Sequence, residues 1–387
     1  MRRRLYMMIA PVAAVVTMFA VAVSMCGCAV HQWPEQKEEP LPPTPDDDKT
    51  EIALRLEYEP DLYLWEHKYD PVLGSVEETY PDSDIYPDYP GASLRYANVS
   101  AEGYVEVYVR AFPTAGASRS VAEHTFVMPA DGVSYDTEFR MELPDVGAYD
   151  IVVWSHLLHE ENGARYYDPS DFNRVSIISD NYSGNTDLRD GFRGRISVEA
   201  VKDEAEGDGD AGGEDGIGAT KAAKPVHTVR MRRPMGKFEL VTTDLSEFLD
   251  RETVRRSLPT RARAEDYRVV ISFPYYYPSS YSAMEDRLEN SSAGVSFETR
   301  MTVTGVSEAS LGFEYVMLND TSESGVQTQV NVYDLDGNRV AGSAMFTVPM
   351  RRDNHTLLRG AFLSLEGNGG VGIDPGFNGD HNLPLWQ

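Results

Sequence analysis

Three short segments carry side chains whose types and spacing could bind a metal ion. Residues 156–160 (HLLHE) hold two histidines three positions apart, and residues 333–338 (YDLDGN) and 373–380 (IDPGFNGD) are rich in oxygen ligands. Side chains three apart on a strand point to opposite faces, so we interpret 156–160 as the solvated end of a strand. Residues 333–338 lack the acidic residue that closes a calcium loop, because Met345 stands there, and their Asp-Gly pair is typical of a hairpin. We therefore predict no metal centre, and calcium binding by the two aspartate-rich loops stays open.

No other pattern indicates catalysis or a bound cofactor. Residues 207–212 (GDGDAG) match the glycine spacing of a dinucleotide-binding loop, but the neighbouring aspartates would repel a pyrophosphate. The chain has neither Gly-x-Ser-x-Gly nor His-Glu-x-x-His, and no catalytic pair stands out among its 62 acidic residues. Residues 80–90 (YPDSDIYPDYP) could stack on a sugar or a partner protein, or form a surface loop stiffened by prolines. The sequence predicts no enzyme and no cofactor.

The two cysteines of the chain lie near its N-terminus, within a signal-like segment. Residues 2–4 are arginines and residues 5–25 carry no charge, which is the pattern of a secretory signal; a permanent transmembrane helix is the alternative. Residues 23–28 (VSMCGC) resemble the bacterial lipobox, in which a small residue precedes the cysteine that is acylated after cleavage. Cys28 follows a glycine and fits this pattern better than Cys26, which follows a methionine. We predict cleavage before Cys28 and lipid attachment to it.

Composition and charge limit the partners of the chain. The balance of 35 Lys and Arg against 62 Asp and Glu gives a net charge of −27, and such a surface repels phosphate backbones. We therefore expect no nucleic-acid partner. Residues 29–49, which follow the lipidation site, contain five prolines and an acidic run, as expected of an extended tether. The lipid and this tether would attach the folded part to a membrane surface.

From Thr50 onward, hydrophobic and polar residues alternate in short runs bounded by Gly, Pro, Asp and Asn. Such runs are typical of half-buried strands in antiparallel sheets, and the helices that a parallel α/β sheet would need are missing from the pattern. We predict strands at 52–58, 104–112, 148–157, 193–201, 228–243, 267–274, 297–303, 311–317, 326–333 and 342–348. One helix is predicted at 245–256, with Asp244 or Ser246 as its N-cap. The fold class is all-β.

The length of 387 residues suggests two folded domains after the N-terminal segments. We predict a lipoprotein signal peptide at 1–27, a flexible tether at 28–49, and β-sandwich domains at 50–233 and 234–387. Residues 203–224 are rich in acids, glycine and alanine and cannot bury enough apolar area to order themselves. We place them as a disordered loop late in the first domain, because a strand-like run lies on each side.

Five segments together resemble a known family. They are 31–35 (HQWPE) after the lipobox, 143–154 (LPDVGAYDIVVW), 190–194 (DGFRG), 233–240 (RPMGKFEL) and 348–363 (VPMRRDNHTLLRGAFL). Their order along the chain is similar to that in the type V fimbrial proteins of the Bacteroidales, with the FimB-like anchor and accessory lipoproteins as the nearest group. The resemblance is scattered over the mature chain, and each segment alone is weak.

This resemblance implies two tandem transthyretin-like Greek-key β-sandwich domains, no enzymatic activity and no cofactor. It implies fimbrial shaft or accessory subunits as partners, and a surface-exposed place at the outer membrane, lipid-anchored at the fimbrium. Shaft subunits of the family polymerise by strand exchange after proteolysis of a first strand, whereas anchor members keep that strand. We therefore interpret residues 52–58 as a first strand that is never removed. A surface adhesin that binds glycans or host proteins through the same fold is the alternative, and a surface hydrolase is the third possibility.

Overall fold

The structure, a computed structural model, describes residues 49–59, 62–79, 93–94, 103–114, 119–130, 137–178, 182–201, 225–319 and 324–364. Asp48–Gln387 forms one compact unit. Among the described residues, no helix has both the length and the apolar character needed to cross a membrane. The predictions for the signal peptide, Cys28, the tether up to residue 48 and the segments 80–90, 203–224 and 373–380 concern residues outside the described set.

The described residues are almost entirely β, which confirms the predicted fold class. The strands of the first half are β1 (Thr50–Tyr58), β2 (Leu62–Asp70), β3 (Ser75–Glu78), β4 (Ser93–Leu94), β5 (Gly103–Pro113), β6 (Ala122–Ala130), β7 (Thr137–Leu143), β8 (Gly147–Leu158), β9 (Tyr167–Asp168), β10 (Val175–Ile177), β11 (Gly191–Ala200) and β12 (Val226–Met231). Those of the second half are β13 (Met235–Thr242), β14 (Arg268–Phe273), β15 (Tyr277–Ser282), β16 (Arg287–Ser292), β17 (Val295–Arg300), β18 (Thr302–Val303), β19 (Ala309–Met317), β20 (Ser324–Tyr333), β21 (Arg339–Gly342), β22 (Phe346–Met350) and β23 (Asn354–Gly360). The helix α1 spans Leu245–Arg255, one residue shorter than the predicted 245–256.

Two sheets of the first half pack face to face as a β-sandwich. One has the strand order β12-β1-β7 and the other β11-β8-β5-β6. Alternate residues of these strands point into one hydrophobic core, which contains Leu54 from β1, Val107 from β5 and Ile151 from β8. This period of two is the pattern from which the sequence predicts the strands.

Strands from the second half form a second sandwich, together with β2, β3 and β4 from the first half. Its sheets have the orders β18-β19-β13-β23-β2-β3 and β17-β14-β20-β21, with β4 beside β2 and β22 beside β20. The core between them includes Phe238, Ile271 and Val330, and α1 adds Phe248. Strand β2 therefore pairs with β23 from the end of the chain, although it follows β1 directly. The division into domains 50–233 and 234–387 stays a prediction.

A third sheet, with the order β16-β15-β10-β9, joins strands from both halves. Its Tyr167 and Tyr281 belong to a separate hydrophobic cluster, which also contains Trp154 of the first sandwich and Tyr315 of the second. The two sandwiches are thus connected through a buried apolar junction.

Three details of the predicted strands are wrong. Residues 228–243 form two strands, because Pro234 has no N–H to donate and Arg232 pairs with Arg193 of β11 instead. Residues 342–348 are interrupted, since the Oγ of Ser343 accepts the N–H of Val330 at 3.0 Å in place of a regular ladder. The sheets are also not purely antiparallel, because β1–β12, β13–β23 and β2–β23 are parallel pairs.

Candidate functional site

The first strand, β1, occupies the centre of a three-stranded sheet. Residues 50–56 pair antiparallel with residues 137–143 of β7, and residues 53–58 pair parallel with residues 226–231 of β12. Both edges of β1 are therefore hydrogen-bonded. A strand in this position cannot leave without opening a groove between β7 and β12.

One face of β1 is buried along its whole length. Ile52 is 5% exposed, Leu54 and Leu56 are fully buried, and Tyr58 is 9% exposed, as the alternation predicts. Burying such side chains contributes about 1.5–3 kcal/mol each relative to exposure. The strand is therefore part of the core of the first sandwich.

The C-terminal end of β1 is fixed by polar contacts and by an aromatic one. The hydroxyl of Tyr58 donates to the Oγ of Ser155 on β8 at 3.1 Å, and its ring meets Phe192 edge-on at 5.1 Å between centroids. One residue later, Glu59 forms an ion pair with Arg232 at 3.0 Å between Oε2 and Nε.

The outer face of β1 carries exposed ion pairs. Arg140 of β7 lies 2.6 Å from Glu51, and Arg55 lies 3.8 Å from Glu138 and 3.5 Å from Glu57. Pairs of this exposure contribute little to stability, typically about 0–1 kcal/mol. The apolar face, and not these pairs, holds the strand.

A second group of residues surrounds the chain where β12 leads into β13. The guanidinium of Arg233 donates to both carboxylate oxygens of Asp190, at 2.8 Å from Nε to Oδ1 and 2.8 Å from Nη2 to Oδ2. The guanidinium carbon lies 4.7 Å from the ring centre of Phe192. Burial acts to lower the pKa of Arg233, but Asp190 outweighs it, so the pKa is raised and the pair stays ionised.

The three-residue turn before β11 makes two further ionic contacts with β13 and β19. Asp187 accepts from the Nζ of Lys237 at 2.8 Å and from the hydroxyl of Tyr315 at 2.8 Å. Arg189 lies 3.3 Å from Glu314, and both side chains are fully buried. These contacts fasten the first sandwich to the second.

Residues from three of the segments quoted for the family resemblance meet at this junction. Asp190 belongs to 190–194, Arg233 belongs to 233–240, and the N–H of Asp353, from 348–363, donates to the carbonyl of Met235 at 3.2 Å. Sequence reasoning singled out these segments without placing them together.

Steric crowding explains why a glycine stands at position 194, in the segment 190–194. A Cβ on Gly194 would lie 2.6 Å from the sulfur of Met231 and 2.6 Å from a methyl group of Val229. Only glycine lets β11 lie this close to β12.

The predicted metal candidates are not brought together. The interpretation of 156–160 as a solvated strand end is right for His159, which is exposed beyond the end of β8, and wrong for His156, which is fully buried. The Nε2 of His156 lies 3.3 Å from Glu106, which also accepts two hydrogen bonds from Arg165. Burial acts to raise the pKa of Glu106, but these partners lower it to about 2. Within the described ranges, no group of three His, Cys, Asp or Glu side chains could hold a metal ion.

The aspartate-rich segment 333–338 forms the predicted hairpin turn between β20 and β21. The Oδ1 of Asp334 accepts the N–H groups of Asp336 at 3.0 Å and Asn338 at 2.9 Å, and Gly337 has a φ of +84°. These bonds close the turn on itself.

Comparison with known families places the chain. A family model described as a family of unknown function, DUF6562, matches residues 91–385. The chain belongs to this family. No curated protein matches it.

Several solved structures are similar to this DUF6562 member. The fimbrial anchor protein Mfa2 from Porphyromonas gingivalis is 13% identical, with a TM-score of 0.35 over 76% of this chain and 82% of that one. The tip fimbrial protein Mfa3 from the same species, with C-terminal truncation, is 10% identical, with a TM-score of 0.33 over 78% and 81%. A fimbrial assembly protein from Parabacteroides distasonis is 9% identical, with a TM-score of 0.36 over 82% and 94%. At these identities and scores the similarity does not bear on function.

Proposed function

We propose that this protein is a non-enzymatic anchor or accessory subunit of a type V fimbria, attached to the outer membrane by lipid on Cys28. The observation that carries the proposal is the position of β1, which fills the groove between β7 and β12 with its own side chains. The family resemblance of the five sequence segments supports the same role. The finer assignment to the FimB-like anchor group belongs to this proposal as well.

Strand addition gives the role a physical basis. A sheet that lacks one strand exposes unpaired backbone groups and an apolar groove, and both attract a strand from another chain. Here the groove is already occupied, so a neighbour's strand cannot enter it. Such a subunit ends a polymer instead of extending it.

The surroundings of Arg55 favour retention of the strand. Arg55 is the one basic residue within β1 and would be the cleavage point for a trypsin-like protease. Its backbone pairs with Glu138 on one side and Thr228 on the other. Proteases bind their substrates in extended, unpaired form, so cleavage here would first require the sheet to open.

Another sheet edge remains for contact with a fimbrial neighbour. Among the described strands, β6 pairs only with β5, over residues 103–111 and 122–130. Its outer edge could accept a strand from a shaft or accessory subunit.

Excision of β1 tests the proposal. Specific protease sites are introduced between Lys49 and Glu51 and after Pro60, and the purified protein is cut and mixed with growing fimbriae. We expect the doubly cut protein to lose the strand and to enter the fimbrial shaft, while the uncut protein stays at the base. A variant with only the site near Lys49 is the matched control, because its strand stays attached after cutting.

Two results would contradict the proposal. If the cut protein lost the strand and still occupied only the base, retention of β1 would not be the reason that this subunit ends the polymer. Uncut protein found along the whole shaft would show that an occupied groove does not stop growth.

A further inference from the structure

A cleft rich in arginine lies where the two sandwiches meet. Its volume is about 390 Å³, within the range of small-molecule sites. Its lining residues are Arg193, Gly194, Arg195, Arg230, Arg232, Arg233, Pro234, Asp286, Arg352 and Asp353. Six arginines thus face two aspartates, in a chain whose net charge is −27. Three further carboxylates, of Glu59, Asp150 and Asp190, pair with these arginines, so six positive charges stand against five negative ones in a chain that is strongly acidic as a whole.

The inner arginines are held in place by the protein. Arg233 is paired with Asp190, and Arg193 donates to the carbonyl of Ala283 at 2.8 Å. Arg352 lies 3.0 Å from Asp286 and donates to the carbonyl of Leu318 at 2.6 Å. These contacts fix the walls of the cleft and preorganise its positive potential.

The outer arginines are more available to a ligand. The side chain of Arg232 is 63% exposed and pairs with Glu59, and that of Arg195 is 40% exposed and pairs with Asp150 at 2.7 Å. The backbone of Arg230 pairs with Glu57 of β1, but its guanidinium makes no hydrogen bond or ion pair with the described part of the chain. Arg232 lies two residues later, just beyond the end of β12. Two guanidinium groups so placed can hold one carboxylate or sulfate by paired hydrogen bonds.

The cleft also presents an acceptor that lacks a donor. The Oδ1 oxygen of Asp353 is buried and accepts no hydrogen bond from the described residues. Asp353 is held in a turn with a φ of +57°, so its position is set by the backbone. A ligand hydroxyl would satisfy this oxygen, whereas a second carboxylate beside it would be repelled.

The structure assigns to this cleft the binding of an anionic saccharide, with the carboxylate or sulfate on Arg230 and Arg232 and a hydroxyl on Asp353. The arginines require an oxyanion and the free aspartate oxygen requires a donor, and an acidic sugar supplies both. Of the lining residues none is aromatic, so a nucleobase would find no ring to stack on. This inference does not depend on the proposed fimbrial role.

Calorimetric titration of the full chain in detergent tests the assignment. The probes are a uronic-acid disaccharide, a sulfated disaccharide, a neutral disaccharide, inorganic sulfate and a hexaglutamate peptide. We expect one or both acidic disaccharides to bind and the neutral one not to bind. The double variant Arg230→Gln/Arg232→Gln should weaken binding by about tenfold for each arginine, because each loses a charge-assisted hydrogen bond.

The control is Arg261→Gln/Arg263→Gln, which removes the same charge outside the cleft. The affinity of this control for the acidic disaccharides should equal that of the unmodified protein. Asp353→Ala should weaken the binding of the disaccharides but not the binding of inorganic sulfate. The assignment is overturned if neither acidic disaccharide binds, or if both double variants lose affinity equally. If hexaglutamate or inorganic sulfate bound as tightly as the disaccharides, the ligand of the cleft would be an acidic peptide or a bare ion and not a saccharide.

Discussion

The buried ion pair between Asp190 and Arg233 offers the sharpest test of how the two sandwiches are joined. The Arg233 side chain is 4% exposed and that of Asp190 is 5% exposed, and three hydrogen bonds of 2.8–2.9 Å connect them. Arg233→Met leaves the carboxylate buried without its partner. Because an uncompensated buried charge is costly, we expect the free energy of unfolding to fall by about 3–5 kcal/mol.

A double-mutant cycle separates the pair from its surroundings. Asp190→Asn removes the negative charge and can still accept the N–H of Gly191, which lies 2.9 Å from Oδ1. We expect Asp190→Asn to lower the free energy of unfolding by an amount similar to that for Arg233→Met, since the guanidinium then stays buried without a counter-charge. The double variant Asp190→Asn/Arg233→Met buries no unpaired charge, so it should be destabilised by about 1–3 kcal/mol less than the sum of the single variants.

The control is the ion pair between Arg140 and Glu51, whose charged atoms lie closer together but whose side chains are more exposed. Arg140 lies 2.6 Å from Glu51, with side chains that are 71% and 37% exposed, and Arg140→Met should cost less than about 1 kcal/mol. Urea unfolding followed by far-ultraviolet circular dichroism measures the free energy of unfolding of all four variants. The values are comparable if the slope of this free energy against urea concentration is the same in each variant. The reasoning from burial would be refuted if Arg233→Met and Arg140→Met lowered the free energy of unfolding by the same small amount. It would also be refuted if the effects of the two single variants in the cycle simply added up in the double variant.

Three further outcomes are expected. Cys28→Ala should leave the precursor unprocessed by the lipoprotein signal peptidase, and normal acylation of this variant would identify Cys26 as the site. Replacement of residues 203–222 by a short Gly-Ser turn should change the melting temperature by no more than a few degrees, because loop-closure cost grows by only about 0.6 kcal/mol per doubling of length; collapse of the first sandwich would contradict this. Burial raises the pKa of Asp353 from 3.8 to about 6, so its contribution to stability is present below pH 3.8 and is lost as the pH rises through 6. Asp353→Asn should therefore unfold like the unmodified protein near pH 3.5 and be more stable at pH 7.5 by at most about 3 kcal/mol, and an equal gain at both pH values would exclude this cause.

The parts of the fold that depend on local pattern could be predicted from the sequence. The alternation of Ile52, Leu54, Leu56 and Tyr58 gives β1 its buried face, and the structure confirms it. The helix was predicted to end one residue beyond its observed end at Arg255. Asp244 is the N-cap residue, as predicted, but its carboxylate accepts from the backbone N–H of Leu363 at 3.1 Å and not from the first turn of the helix.

The parts that depend on distant residues could not be predicted. Nothing local in 62–70 indicates that β2 pairs in parallel with β23, almost 300 residues later. The buried charges are a similar case, since Arg189 and Glu314 have the polar composition of a solvent-exposed face. Only their meeting across the junction makes their burial possible, and sequence spacing does not reveal it.

The first strand and the arginine cleft are physically linked through one ion pair. Glu59 follows β1 directly and holds Arg232, which lines the cleft, at 3.0 Å. Three residues after Glu59, at Leu62, the chain enters β2 and the sheet of the second sandwich. Strands β1 and β2 thus lie in different sandwiches, and Glu59 lies beside the cleft. A strand that stays in place keeps Glu59 beside Arg232 and lowers the positive charge there, whereas a strand that leaves would take this carboxylate with it. The occupancy of the groove and the charge of the cleft are therefore properties of the same short stretch of chain.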